Sequence, residues 1–142
     1  AGATYADGAY YRCDLVTEVV PAAKTLADVL QGTDGTRGWL VAMARAGGLI
    51  RRLGHAGIFH IDLNARNVLL QEWQDSSRPR DDPGAWVIDL DRARIFSRQP
   101  ESAMERMQVR LTRSIIKIGT PTGESLRDSE IVAALTTRLE EL

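Results

Sequence analysis

At 142 residues the chain has room for about one domain, and its 44% apolar and 26% charged composition is that of an ordinary globular protein. A net charge of −1 argues against a nucleic-acid partner, because domains built for that purpose are usually strongly basic. The single cysteine, Cys13, excludes an internal disulfide and points to a reducing compartment, no apolar run approaches the roughly 18 residues that span a bilayer, and the N-terminus lacks the basic start and apolar core of a signal peptide.

In chain order, residues 1–9 (AGATYADGA) are small and polar and predict a flexible, frayed segment. The β-formers of YYRCDLVTEVV (10–20) predict a strand that ends at Pro21. KTLADVLQ (24–31) predicts a short helix stopped by Gly32, and TDGTRG (33–38) a loop. In WLVAMARAGGLIRRLGHAG (39–57), Leu40, Met43, Leu49, Ile50 and Leu53 fall at helical spacing, weakened by Gly47 and Gly48; His55 sits in a turn-like spot. Val68–Leu70 and Trp86–Ile88 predict two short buried strands joined by the polar, proline-containing loop 74–85. ESAMERMQVRLTRSIIKI (101–118) is the clearest amphipathic helix, its stripe Met104, Met107, Leu111, Ile115 and Ile118 stepping by three and four. After the break GTPTG (119–123), residues 124–142 predict a last helix. The sum is an α+β chain.

Two stretches put acids and amides where the flanking residues read as buried: HIDLNARNVLL (60–70) and WVIDLDRAR (86–94). Phosphoryl transfer from ATP asks a protein to orient an acceptor hydroxyl through a base and to hold Mg²⁺ against the phosphates. Mg²⁺ takes hard oxygen ligands, commonly one or two carboxylates plus phosphate oxygens and water. Kinase-like enzymes draw these groups from His-x-Asp-Leu-x-x-x-Asn and from an Asp after a short apolar strand. His60, Asp62, Leu63 and Asn67 fill the first pattern, and Asp89 after Trp86-Val87-Ile88 fills the second. In this reading Asp62 accepts the hydroxyl's hydrogen bond, while Asn67 and Asp89 are the metal ligands. The two strands form a hairpin that brings Asn67 and Asp89 together.

HIDLNARNVLL together with VIDLDRAR resembles the lipopolysaccharide kinases, the group that includes 3-deoxy-D-manno-octulosonic acid (Kdo) kinases and heptose kinases. RLTRSIIKI (110–118) is similar to the helix that follows the metal-binding Asp in that group, so the resemblance covers roughly residues 10 to 118. It implies a protein-kinase-like large (C-terminal) lobe over 10–142, mainly helical, with short β-hairpins carrying a catalytic loop at 60–67 and a metal-binding segment at 86–91. The crossing from small to large lobe falls at about 16–21, where the backbones of Glu18 and Val20 would meet adenine. Nothing ahead of residue 10 resembles a glycine-rich loop or a strand lysine, so the expected large lobe is without its small, N-terminal lobe. Ile61 stands where most protein kinases have Arg, and Leu90-Asp91 replaces the usual Phe-Gly. The implied cofactors are ATP and Mg²⁺, and the implied acceptor is the 4-hydroxyl of Kdo on Kdo-lipid A, at the inner face of a bacterial inner membrane.

Several side chains carry two readings. His60 either braces the loop from a buried position or meets substrate. Asn64 either braces the loop or contacts phosphate, and in the second case joins Asp62 as a catalytic residue. Asp91 either binds substrate or pairs with an Arg. Arg106, Arg110, Arg113 and Lys117 step by four, three and four opposite the apolar stripe, with Arg92, Arg94 and Arg98 just before them. They form either a solvated face or a basic surface for a polyanion such as lipid A phosphates or an anionic leaflet, where each cation is worth about 1 kcal/mol. The alternatives to a Kdo kinase are a small-molecule or protein kinase of the same superfamily, and a non-catalytic pseudokinase fragment or binding module.

Overall fold

The computed structural model describes residues 2–7, 10–15, 18–32, 36–71, 84–97, 102–119 and 127–142. Residues 16–17 of the expected lobe crossing, the loop residues 33–35 and 74–83, Arg98 and the expected break at 120–123 lie outside the described residues.

The chain opens on strand β1 (Gly2–Asp7), antiparallel to β2 (Tyr10–Leu15) in a register that runs from Gly2↔Leu15 to Asp7↔Tyr10. Residues 2–7 of the segment expected to be frayed or turn-like thus form a ladder with the β-formers that follow. The strand expected over 10–20 ends instead at Leu15, and Val19 is 82% exposed. β-branched residues hold an extended strand only beside a partner.

Strand β3 (Ala23–Thr25) leads into helix α1 (Leu26–Gly32). The Thr25 hydroxyl accepts the Asp28 N–H at 3.1 Å and donates to the Asp28 carboxylate at 2.6 Å. This satisfies an orphan donor of the first turn, which fixes where the helix begins. Helix α2 (Thr36–His55) starts inside the expected loop and touches α1, β4 (Ile58–His60), β5 (Val68–Gln71), β6 (Ala85–Val87), α3 (Ser102–Ile118) and α4 (Asp128–Thr136). Its Met43, Leu49, Ile50 and Leu53 join Leu26, Leu30, Leu63, Val68 and Leu70 in one buried core. α3 closes that core with Met107, Leu111 and Ile115, and α4 with Ile131 and Leu135. Each such side chain contributes about 1.5–3 kcal/mol by leaving water.

The apolar stripe of α3 differs from expectation at its first turn. Met104 is 40% exposed and Ala103, at 4%, faces the core instead. Ala103 lies one turn before Met107 and continues the buried row that runs on through Leu111 and Ile115, and Met104 falls off that row.

Gly47 has a packing reason. A Cβ built there would lie 1.7 Å from the Leu135 carbonyl oxygen, so α4 approaches the α2 backbone more closely than any side chain permits. At Gly57 the requirement is double: φ is +70° and a Cβ would lie 2.3 Å from the Phe96 carbonyl oxygen.

Replacing Gly47 by Ala gains about 1 kcal/mol of helix propensity but forces backbone apart. The net expectation is a loss of about 1–3 kcal/mol, read as a lower unfolding midpoint in the complete natural protein. Gly32→Ala, which meets open space, leaves that midpoint unchanged or slightly raised.

Candidate active site

Strand β4 pairs antiparallel with β7 (Ala93–Ile95), and β5 pairs antiparallel with β6. The segments that connect them, 61–67 and 88–92, therefore run side by side, each held at both ends by a ladder. The Ile88 N–H donates to the Asn67 carbonyl at 2.9 Å and joins the two segments directly. His60, 1% exposed, reaches the Ile88 carbonyl through Nε2 at 3.2 Å. That contact requires the proton on Nε2, and Nδ1 has no hydrogen-bond partner. His60 thus takes the bracing role; its backbone N–H donates to the Met107 sulfur at 3.5 Å.

The 61–67 loop is fixed from three sides. Leu63 and Ala65 are buried in the core. The Ala65 carbonyl accepts the Ala27 N–H from α1 at 3.0 Å, and the Ala65 N–H donates to Ser114 Oγ of α3 at 3.1 Å. Within the loop, Asn64 Nδ2 donates to the Asp62 carbonyl at 3.0 Å while Asn64 Oδ1 accepts the Arg66 N–H at 2.9 Å. Both ends of the Asn64 amide are engaged by backbone, which is the bracing geometry rather than that of a group reaching for phosphate. Asn67 Nδ2 donates to the Asp62 carbonyl at 3.4 Å, leaving Oδ1 as the amide's available oxygen.

The hairpin that presents Asn67 and Asp89 has a buried support that sequence reasoning missed. Arg45 of α2, 7% exposed, donates to the Gln71 carbonyl at 2.7 Å and the Gly84 carbonyl at 2.5 Å. It ties the two strands at their loop end. Ala27, Ser114 and Met107 were missed as well. All four act through backbone groups or across long sequence separations, and neither leaves a local spacing signal.

These supports frame a cleft of about 1160 Å³. Asp62, Asn64, Asn67 and Asp89 line it, and so do Arg94, Arg106, Arg110, Arg113 and Lys117. Glu18 and Val20 are not among the lining residues, nor are Asp91 and Arg92. Arg92 nonetheless reaches the site: its Nη1 lies 2.5 Å from Asp62 Oδ2, and Arg110 Nη1 lies 3.2 Å from Asp62 Oδ1. Both oxygens of the Asp62 carboxylate are therefore held by guanidinium groups.

Asp89 adopts the left-handed conformation, φ 63° and ψ 57°, which Asp tolerates better than most residues. The 3₁₀ turn Leu90–Arg92 follows and folds Asp91 back beside it. The hydrogen bond and like charge of Asp91 push the Asp89 carboxyl above its ordinary pKa; partial desolvation and the Asp62 charge add to this, and His60 opposes it. Among the described residues no group of three or more His, Cys, Asp and Glu side chains forms a metal cage. The available oxygens are Asn67 Oδ1 and the Asp89 carboxylate with Asp91 behind it. That set fits Mg²⁺ whose shell is completed by phosphate and water, and a dication beside Asp89 would relieve the repulsion that raises its pKa.

A mixed helix-and-sheet domain thus brings an acid, an amide and a second acid from two clamped loops to one cleft that a row of cations on α3 also lines. The family model described as the lipopolysaccharide kinase (Kdo/WaaP) family matches residues 1–130. The chain belongs to that family. Relatives named 3-deoxy-D-manno-octulosonic acid kinase include one from Xylella fastidiosa strain M12, 32% identical over 114 residues that make up 78% of this chain and 39% of the relative. Another, from Actinobacillus succinogenes, is 35% identical over 83 residues, 58% of this chain and 30% of the relative. A third, from Haemophilus influenzae strain KW20, is 34% identical over 86 residues, 60% of this chain and 32% of the relative. The chain thus spans about a third of the length of the curated relatives it matches. No solved structure matches it.

The Asp89–Asp91 repulsion has a measurable consequence. Asp91→Asn removes the largest cause of the upward shift, so the Asp89 carboxyl titrates at lower pH in the metal-free variant. The sign for stability follows: a raised carboxyl pKa means the fold prefers the protonated form, and that preference is lost as pH rises through the folded value. Asp91→Asn should therefore relieve the loss above that value. Carbon-detected NMR titration of the Asp89 carboxyl checks the first statement, and unfolding midpoints across pH check the second.

Proposed function

We propose that the complete protein transfers the γ-phosphoryl group of ATP to a sugar hydroxyl of the lipopolysaccharide inner core, the 4-hydroxyl of Kdo on Kdo-lipid A. Family membership supports the reaction class. The observation that carries the reading is the convergence of Asp62, Asn67 and Asp89 on one cleft that Arg94, Arg106, Arg110, Arg113 and Lys117 also line, with Glu105 the one acid beside them. In this reading the described helices and hairpins are the large lobe of a protein-kinase-like enzyme.

Asp62 receives the hydrogen bond of the acceptor hydroxyl. The acceptor oxygen bonds to the γ-phosphorus as the bond from that phosphorus to the bridging oxygen breaks. ADP leaves with that electron pair, and the hydroxyl proton passes to the Asp62 carboxylate. Asn67 and Asp89 would hold Mg²⁺, which when bound would supply charge neutralisation at the phosphate oxygens. Asn64 keeps the Asp62 backbone in place through its 3.0 Å hydrogen bond. The adenine contacts at Glu18 and Val20 belong to the same proposal, carried by the family resemblance alone.

The acceptor's character is supported by the cleft wall. Arg106, Arg110, Arg113 and Lys117 extend about 16 Å along α3 at 1.5 Å per residue, a length suited to an acidic glycolipid. A cationic aminoglycoside would meet repulsion from the same row. No helix among the described residues is long and apolar enough to cross a membrane. We place the enzyme at the inner face of the inner membrane through its substrate and an anionic lipid surface.

Asp62→Asn in the complete protein should lower kcat by about 10²–10⁴-fold, the range of a lost general base. Asp89→Asn should abolish turnover at any accessible Mg²⁺ concentration. Phosphate transfer from labelled ATP to Kdo-lipid A measures both, and near-normal transfer by Asp89→Asn would overturn the assignment.

A further inference from the structure

Asp62, the proposed base, is not free to act. Its Oδ2 is paired with Arg92 at 2.5 Å and its Oδ1 with Arg110 at 3.2 Å. A carboxylate clamped in this way is a poor acceptor for a hydroxyl's hydrogen bond, because both of its oxygens already accept from guanidinium groups. The pairs are also open to water: the Arg92, Arg110 and Asp62 side chains are 63%, 49% and 38% exposed. Ion pairs this exposed are weak and exchange readily with a competing anion.

We infer that Arg110, with Arg92, is an exchange device: the anionic group of the acceptor takes the guanidiniums from Asp62 and so frees the base beside the hydroxyl that is to be phosphorylated. This rests on the proposed role of Asp62 in phosphoryl transfer and adds how the acceptor is selected. The anion is a carboxylate borne by the sugar itself. Arg110 belongs to the α3 row with Arg106 and Arg113, on the wall facing the loop, whereas the triphosphate is drawn to Asn67 and Asp89 by its metal ion. A sugar acid thereby unlocks its own base. A neutral sugar of the same shape enters a site whose base stays paired, so charge is selected at the chemical step as well as in binding.

The exchange makes a prediction opposite to that of an ordinary binding site. Removing Asp62 removes the internal competitor, so Asp62→Asn should bind an acidic ligand more tightly. Calorimetric titration of the complete natural protein with Kdo, and with its uncharged methyl ester, reads this directly. For Asp62→Asn the Kd of Kdo should fall about tenfold and that of the ester should stay unchanged. In Asp62→Asn/Arg110→Gln the gain should disappear, and Arg110→Lys, which keeps the charge, should restore part of it. In turnover, Arg110→Gln should lower kcat/KM for Kdo-lipid A by about 100-fold and that for the corresponding ester-blocked acceptor at least tenfold less.

Kdo binding no tighter in Asp62→Asn than in the unmodified protein overturns the exchange. So does an equal loss on both acceptors in Arg110→Gln. A gain for a non-hydrolysable Mg²⁺–ATP analogue with none for Kdo would assign the arginines to the triphosphate and also overturn it. Phosphate transfer without the binding gain leaves the kinase reading standing and removes the exchange. The binding gain without phosphate transfer removes the kinase reading and leaves the carboxylate exchange.

Discussion

The antiparallel pairing of β4 with β7 and of β5 with β6 is the constraint from which the rest of the site follows. A loop fixed at one end sweeps a volume; a loop fixed at both ends by strands on a common frame has few conformations left. Here two such loops lie between the same pair of ladders, and the Ile88 N–H to Asn67 carbonyl bond ties them together at their β5–β6 end. The three oxygen-bearing side chains owe their common cleft to this frame rather than to attraction for one another. Attraction could not do it: the Asp89 carboxyl is pushed above its ordinary pKa chiefly by Asp91, and the like charge of Asp62 adds a smaller push in the same direction. The fold holds like charges together, which is the arrangement expected where a cation is to be bound.

The supports of that frame are buried, and the functional side chains are exposed or half-exposed. His60, Leu63, Ala65 and Arg45 sit at 7% exposure or less. Buried hydrogen bonds to Arg45 and Ala65 are costly to break, about 1–3 kcal/mol for each group left unsatisfied. The Asp62 ion pairs on the surface are cheap to rearrange. Stiffness and exchangeability are thus assigned to different residues within a few positions of each other along the chain.

Much of this was legible in the sequence where the signal is local. The two apolar strands flanking a polar loop were readable because strand and turn chemistry alternate over a few residues, and they form the β5–β6 hairpin. Helix α3 was readable from its three-and-four spacing, since an apolar stripe on a helix has few other uses. The exposure of Met104 in place of Ala103 was not readable: a hydrophobicity pattern reports which face is apolar, not how close the neighbouring element comes. Gly47 and Gly48 look like helix weakeners in isolation, and only the position of Leu135, far along the chain, shows why a side chain is excluded at Gly47. The strand at residues 2–7 was not readable for a related reason. A strand of small residues is stabilised by its partner's ladder and carries almost no signal of its own. Arg45, buried against two carbonyls, has the sequence appearance of any helix-surface arginine.

Helix α3 links the support of the base to the recognition of charge. Its Met107, Leu111 and Ile115 lie in the core, its Ser114 holds the Ala65 N–H of the loop, and its Arg106, Arg110 and Arg113 face the cleft. Arg110 and Ser114, one turn apart, act on Asp62 and on the backbone three residues beyond it. A small rotation of α3 would therefore move the cation row, the loop and the Asp62 ion pair together. In the proposed kinase, acceptor affinity and turnover would both depend on this helix. A change in its packing against α2 or α4 should disturb KM and kcat together, although neither neighbour contributes a residue to the cleft lining.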